Sequence, residues 1–135
     1  MRGKEVYIGV FTMRLEGGAP IYEQLERRIT ELVLSGEMKE GEKLPAVREI
    51  AKELSINPNT VQKTYANLEA IGVIYSIPAK GSYVSKRSEY IAAVSRKTRE
   101  SFAEAVNSAL RLGLSKSDLV SIIETFEYNT GNGGE

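Results

Sequence analysis

Residues 47–71 read VREIAKELSINPNTVQKTYANLEAI, and their spacing decides the fold. Val47, Ile50, Ala51 and Leu54 recur at helical steps and predict the buried face of a short helix. Asn57 is a preferred N-cap and Pro58 suits a first helical turn. Val61, Tyr65, Leu68 and Ile71 then make the inner stripe of the next helix. Only Ser55 and Ile56 separate the two. So short a link cannot lay the helices antiparallel, so they must cross steeply, which is the helix-turn-helix geometry. The small Ala51 falls where the helices press together, and Ile56 and Val61 fill the corner.

Working outward, Ile21, Leu25, Ile29, Leu32 and Val33 give a preceding helix one apolar stripe, with Pro20 at its start and Gly36 as its C-terminal cap. Residues 37–43 form a polar loop containing Gly41. After Gly72, residues 73–77 read as a strand, 78–81 (PAKG) as a turn and 82–85 as the returning strand. Helices followed by such a hairpin make a winged helix. At the N-terminus, residues 6–11 (VYIGVF) are β-rich and Phe11, Met13 and Leu15 alternate with polar residues, which predicts one strand or an extended arm ended by Gly17-Gly18. Residues 86–135 read as helical. A long helix over 88–112 carries Ile91, Val94, Phe102, Val106, Ala109 and Leu110 on a broad face and ends at Gly113. Ser115 and Asp118 resemble a capping box before a second stripe of Leu119, Ile122, Ile123 and Phe126. Residues 129–135 are expected to fray. The expected fold class is mainly α with a small β-hairpin (α+β). An N-terminal strand or arm (1–19) precedes a winged helix-turn-helix (20–85) and a two-helix tail (86–135).

Composition narrows the chemistry. With 41% hydrophobic and 27% charged residues, the chain is too apolar for wholesale disorder. It has neither cysteine nor histidine, which excludes disulfides, thiolate nucleophiles, Cys-based zinc sites and the usual general base. Asp118 is the sole aspartate. No metal or cofactor is expected, and a Glu/Lys-based enzyme has no constellation of residues behind it. The apolar run over 6–13 is short, is interrupted by Gly9 and Thr12, and is followed by Arg14 and Glu16. That predicts neither a membrane span nor a cleaved leader, and so a cytoplasmic protein without a membrane partner. Lys and Arg number 18 against 18 acids, and residues 20–85 hold 8 against 9. Any nucleic-acid function must come from where charges sit, not from their sum.

The stretch PIYEQLERRITELVLSGEMKEGEKLPAVREIAKELSINPNTVQKTYANLEAIGVIYSIPAKGSYV, residues 20–84, resembles the DNA-binding domain of the GntR family of bacterial transcription regulators. Its landmarks are Gly36, Gly41, Leu44-Pro45, Arg48, Ala51, Thr60-Val61, Leu68, Gly72 and Gly81. The NPNTV start at residues 57–61 and the short helical tail resemble the YtrA-type subfamily. The chain departs from the pattern at three positions. Ala46 stands where Ser is frequent, Ser55 where a turn glycine is common, and Pro58 where a basic residue is often found. Residues 86–135 are too few for the effector domain of larger subfamilies, so no small-molecule effector site is assigned.

The resemblance implies a homodimeric repressor that reads double-stranded operator DNA as an inverted repeat, with helix three in the major groove and the wing near the minor groove. Arg48 would contact phosphate or base, because a guanidinium can offer either two hydrogen bonds. Asn59, Thr60, Gln62 and Lys63 point away from the apolar stripe. Asn and Gln amides can pair with adenine edges, and the helix N-terminus attracts phosphate. Asn57 and Pro58 are mainly a cap and a helix start. At the wing tip, Gly81 lets the backbone come close to DNA, and Lys80 can reach a phosphate or the minor groove. The plain alternative for each polar residue is a solvated surface. For the whole chain it is a winged-helix protein-interaction module that does not bind DNA, which the near-neutral charge of 20–85 favours. The tail stripes either cover the winged helix within one chain or pair with a second copy; the resemblance implies the pair.

Overall fold

A computed structural model of the chain describes residues 5–127. The expected frayed end at 129–135 and the basic residues 1–4 lie outside the described residues. The described residues divide into two compact units, one ending at Lys97 and the other beginning at Thr98.

The first unit opens with two antiparallel strands, β1 (Glu5–Ile8) and β2 (Phe11–Arg14), in which Val6 faces Met13 and Ile8 faces Phe11. The sequence predicts one strand or an arm here; the structure folds the segment back on itself. Gly9 takes φ +59, and such two-residue hairpin turns require positive φ at their first position. The fold-back buries Val6, Phe11 and Met13 on one face. Helix α1 (Ile21–Ser35) holds this hairpin: Arg28 Nε donates to the Thr12 carbonyl at 2.7 Å and Nη2 to the Thr12 hydroxyl at 2.9 Å. Gln24 fixes the link between them, accepting from the Glu16 N–H at 2.9 Å and donating to the Ala19 carbonyl at 2.8 Å. Leu25, Ile29, Leu32 and Val33 of α1 are buried, whereas Ile21 at the helix start is exposed.

Helices α2 (Val47–Leu54) and α3 (Pro58–Ile71) form the helix-turn-helix. Ser55 closes α2 in the left-handed conformation, φ 59 and ψ 45, and the Ile56 N–H returns to the Ala51 carbonyl at 3.0 Å. The Asn57 side chain then caps α3 by accepting from the Asn59 N–H at 2.8 Å. Val61, Thr64, Tyr65 and Leu68 are the buried residues of α3, and Ile71 is partly buried. Thr64 satisfies its hydroxyl by donating to the Thr60 carbonyl at 3.0 Å.

The wing is the antiparallel pair β3 (Ile74–Ile77) and β4 (Gly81–Val84), with Ile74 opposite Val84 and Tyr75 stacked on Tyr83 at 5.7 Å between ring centres. The loop before α2 adds a third, short strand-like edge. Leu44 N–H donates to Ser82 at 2.8 Å, and Val84 N–H donates to Glu42 at 2.9 Å. Helix α4 (Arg87–Arg111) begins where Glu40 Oε1 accepts the Arg87 N–H at 3.0 Å, and its first turns bury Tyr90 and Ala93 in this unit.

The second unit holds the rest of α4 and helix α5 (Lys116–Thr125). A complete capping box starts α5: Ser115 Oγ accepts from the Asp118 N–H at 3.0 Å, and Asp118 Oδ2 accepts from the Ser115 N–H at 2.9 Å. No residue of α5 is buried.

Two predictions concern these caps. Asn57→Ala leaves the Asn59 N–H without its partner and should cost about 1 kcal/mol, read as a lower urea midpoint at unchanged slope; an unchanged midpoint contradicts the cap. The hydrogen bonds from Ser115 hold the Asp118 carboxyl below the usual carboxylate range. The cap's contribution is therefore full above the ordinary aspartate pKa and is lost as pH falls through the lowered value. An NMR titration should place the Asp118 midpoint below that of an unstructured aspartate, with loss of α5 helicity following it. A midpoint at or above the ordinary value contradicts the box.

Candidate nucleic-acid interface

The elbow at Ser55-Ile56 turns the inner stripe of α3 onto α1 and α2, so its opposite edge faces outward. Asn57, Asn59, Gln62 and Lys63 are exposed and Thr60 is half-buried. Asn57 spends its side-chain oxygen on the cap, which ties it to a structural duty. Pro58 carries no N–H, and the Asn59 and Thr60 N–H groups are both taken by Asn57, the second by its carbonyl at 2.9 Å, so this helix start offers an anion its dipole rather than free donors. Lys63 stands over the Tyr22 ring, 5.4 Å from its centre, so the start of α1 seats the one cation of α3. In sequence, Tyr22 reads first as a packing residue and second as one that reaches the DNA backbone. The seat joins residues 41 positions apart, and the helical periods of α1 and α3 taken separately give no sign of it.

Arg48 lies in the first turn of α2, exposed, with no ion pair among the described residues. Lys63 and Lys80 likewise form none. The three ion pairs among the described residues, Arg14 with Glu5 and Glu16 and Arg28 with Glu31, all belong to the N-terminal hairpin, the stretch after it, and α1. Arg27, Lys39, Lys43 and Lys52 form none among the described residues either, so what sets Arg48, Lys63 and Lys80 apart is their place on α2, α3 and the wing, not the lack of an ion pair.

A groove of about 430 Å³ runs between α3 and the wing, and Gln62, Lys80 and Gly81 line it. Arg48, Asn57, Asn59, Thr60 and Lys63 do not. Tyr65 forms part of its wall and donates its hydroxyl to the Pro45 carbonyl at 2.6 Å. Burial, with Glu49 adding to it, pushes that phenol above its ordinary pKa, so it stays a neutral donor across the physiological range. The bond joins α3 to the segment entering α2. Gly81 adopts φ +133, a conformation that side chains rarely take. The wing turn before it also places Ala79 at φ 65. Among the described residues no group of three acidic side chains could hold a metal ion, and no helix is long and apolar enough to cross a membrane.

Comparison with known proteins gives this geometry its context. Residues 21–84 match the family described as bacterial regulatory proteins, gntR family. The HTH-type transcriptional regulator YhcF of Bacillus subtilis is 32% identical over 114 residues, covering 84% of this chain and 94% of that protein. The HTH-type transcriptional repressor YtrA of the same organism is 47% identical over 70 residues, 52% of this chain and 54% of YtrA. A GntR family transcriptional regulator from Listeria monocytogenes superposes with a TM-score of 0.64 at 26% identity, covering 84% of this chain and all of the other. With its helix-turn-helix and wing, and with this likeness along most of its length, the chain belongs to the GntR family of DNA-binding transcriptional regulators.

Proposed function

We propose that the protein is a dimeric, sequence-specific repressor, acting in the cytoplasm, that binds an inverted-repeat operator. The observation that carries this reading is the exposed edge of α3. It places two amides and a cation beside a capped helix start, with exposed Arg48 and Lys80 on the neighbouring elements. In this reading α3 enters the major groove. Asn59 and Gln62 read base edges, the Thr60 hydroxyl at the positive end of the helix holds a phosphate, and Lys63 pairs with another. Arg48 binds phosphate or base, and Lys80 beside Gly81 brings the wing to the minor groove. Asn57 keeps the helix start in shape. Each critical base pair would then discriminate by about 1–3 kcal/mol. That YtrA is a repressor supports repression here.

The dimer rests on the second unit. Phe102, Ile122, Ile123 and Phe126 are all at least half exposed, at 55%, 50%, 57% and 69%. Helical stripes of this kind are covered in a working protein. A second copy would cover them and would also double the few phosphate contacts of one winged helix, which raises affinity steeply. A two-fold pair would set its half-sites roughly 34 Å apart or at a multiple of that.

A second reading, a protein-interaction module, draws on the near-neutral charge of residues 20–85. Selection of duplexes from a random pool separates the two. The repressor reading predicts an inverted repeat whose binding falls steeply with salt, and the module predicts no enrichment. Arg48→Ala should abolish binding to the selected duplex while folding and mass stay those of the wild type; retained affinity removes Arg48 from the interface. Replacing Leu119 and Ile122 with Glu should give monomers by sedimentation that bind DNA weakly. An unchanged dimer would put the subunit contact elsewhere.

A further inference from the structure

We infer that Lys43 is a further DNA-contacting residue, set against the wing so that its ammonium and that of Lys80 take a backbone phosphate in the groove beside α3. The inference rests on the DNA-binding reading above. In sequence Lys43 is one cation of a polar loop. In the structure its backbone is held at the wing. Lys43 bridges antiparallel to Tyr83, and on either side Leu44 donates to Ser82 at 2.8 Å and Val84 donates to Glu42 at 2.9 Å. The side chain crosses the wing glycine. Its Cε lies 2.8 Å and its Nζ 3.6 Å from where a Cβ on Gly81 would stand. Glycine at 81 therefore leaves room for the lysine stem as well as for the turn.

The groove that results has a one-sided chemistry. Lys43, Lys80 and Gln62 line it together with Ser76 and Ser82; no carboxylate is among the lining residues, although the Ser76 hydroxyl donates to Glu69 at 2.8 Å. Lys43 is exposed and forms no ion pair among the described residues. Two ammonium groups, the Ser82 hydroxyl and an amide suit an anion that presents several acceptor oxygens. Because Gln62 belongs to the outward edge of α3, a duplex lying along that edge brings its backbone to this groove. A phosphate contact positions the protein without reading sequence. The loss of Lys43 should therefore weaken all duplexes alike.

The test measures binding of the full-length chain to the duplex selected with wild-type protein, and to an unrelated duplex, across a salt series. Lys43→Gln should weaken both and reduce the slope of log affinity against log salt by about 0.9 per protomer. From about 50 to 200 mM salt the variant would then lose about 3.5-fold less affinity per protomer than the wild type. Lys43→Arg should keep most of the wild-type slope. Lys39→Gln removes the same charge from the same loop outside the groove and should leave the slope unchanged. The inference is overturned if Lys43→Gln keeps the wild-type slope, or if Lys39→Gln lowers it equally. Wild-type protein that binds neither duplex overturns the DNA-binding reading, and this inference with it; wild-type binding with an unaltered Lys43→Gln slope overturns this inference alone.

Discussion

Two backbone hydrogen bonds and one left-handed residue set the geometry on which the interface depends. Ser55 turns at φ 59, its N–H returns to Lys52, and the Ile56 N–H returns to Ala51. The chain leaves α2 with the Ala51 and Lys52 carbonyls satisfied and has one residue before the Asn57 cap begins α3. A non-glycine residue in this conformation costs about 1–2 kcal/mol. The surrounding structure offsets that cost by burying Ile50, Ala51 and Leu54 on one side of the corner and Val61 and Leu68 on the other. Once those faces are committed, the remaining edge of α3 has only solvent or a ligand to meet.

The wing is not an independent appendage. Tyr65 on α3 is bonded to Pro45, and the next residue upstream, Leu44, is bonded to Ser82 on β4. A single chain of contacts therefore runs from the candidate reading helix through the start of α2 to the wing, and it fixes the groove between them. Arg28 and Gln24 do the corresponding work on the far side, holding the N-terminal hairpin against α1. These bonds, most of them made by a side chain, are worth about 1 kcal/mol each, and they orient elements that hydrophobic burial alone would leave free to slide.

What the sequence made legible follows from periodicity and caps. The stripes of α1, α2 and α3 and the start signal at Asn57-Pro58 are local patterns, and the structure carries them. The family resemblance and the helix-turn-helix could be read for the same reason. The N-terminal hairpin was harder: Gly9-Val10 lacks the stronger Asn-Gly or Asp-Gly signature, so residues 6–11 look continuous until Val6 is seen opposite Met13. Tyr90 was hidden by its own chemistry. Its ring is buried while its hydroxyl accepts from Arg87, so the inner face of early α4 lies at Tyr90 and Ala93, and Ile91 is exposed. The outward residues of α3 were legible as polar positions on a helix. The seat of Lys63 on Tyr22 and the packing of Lys43 against Gly81 were not, because each joins segments far apart in the chain.

The account is tested most directly by an NMR titration of the isotope-labelled full-length chain with a duplex recovered by selection. It predicts that the largest changes fall on the backbone amides of Arg48, of residues 57–63 and of Lys80-Gly81, and on the side-chain amides of Asn59 and Gln62. Changes confined to the N-terminal hairpin or to α5, with residues 57–63 unmoved, would contradict it.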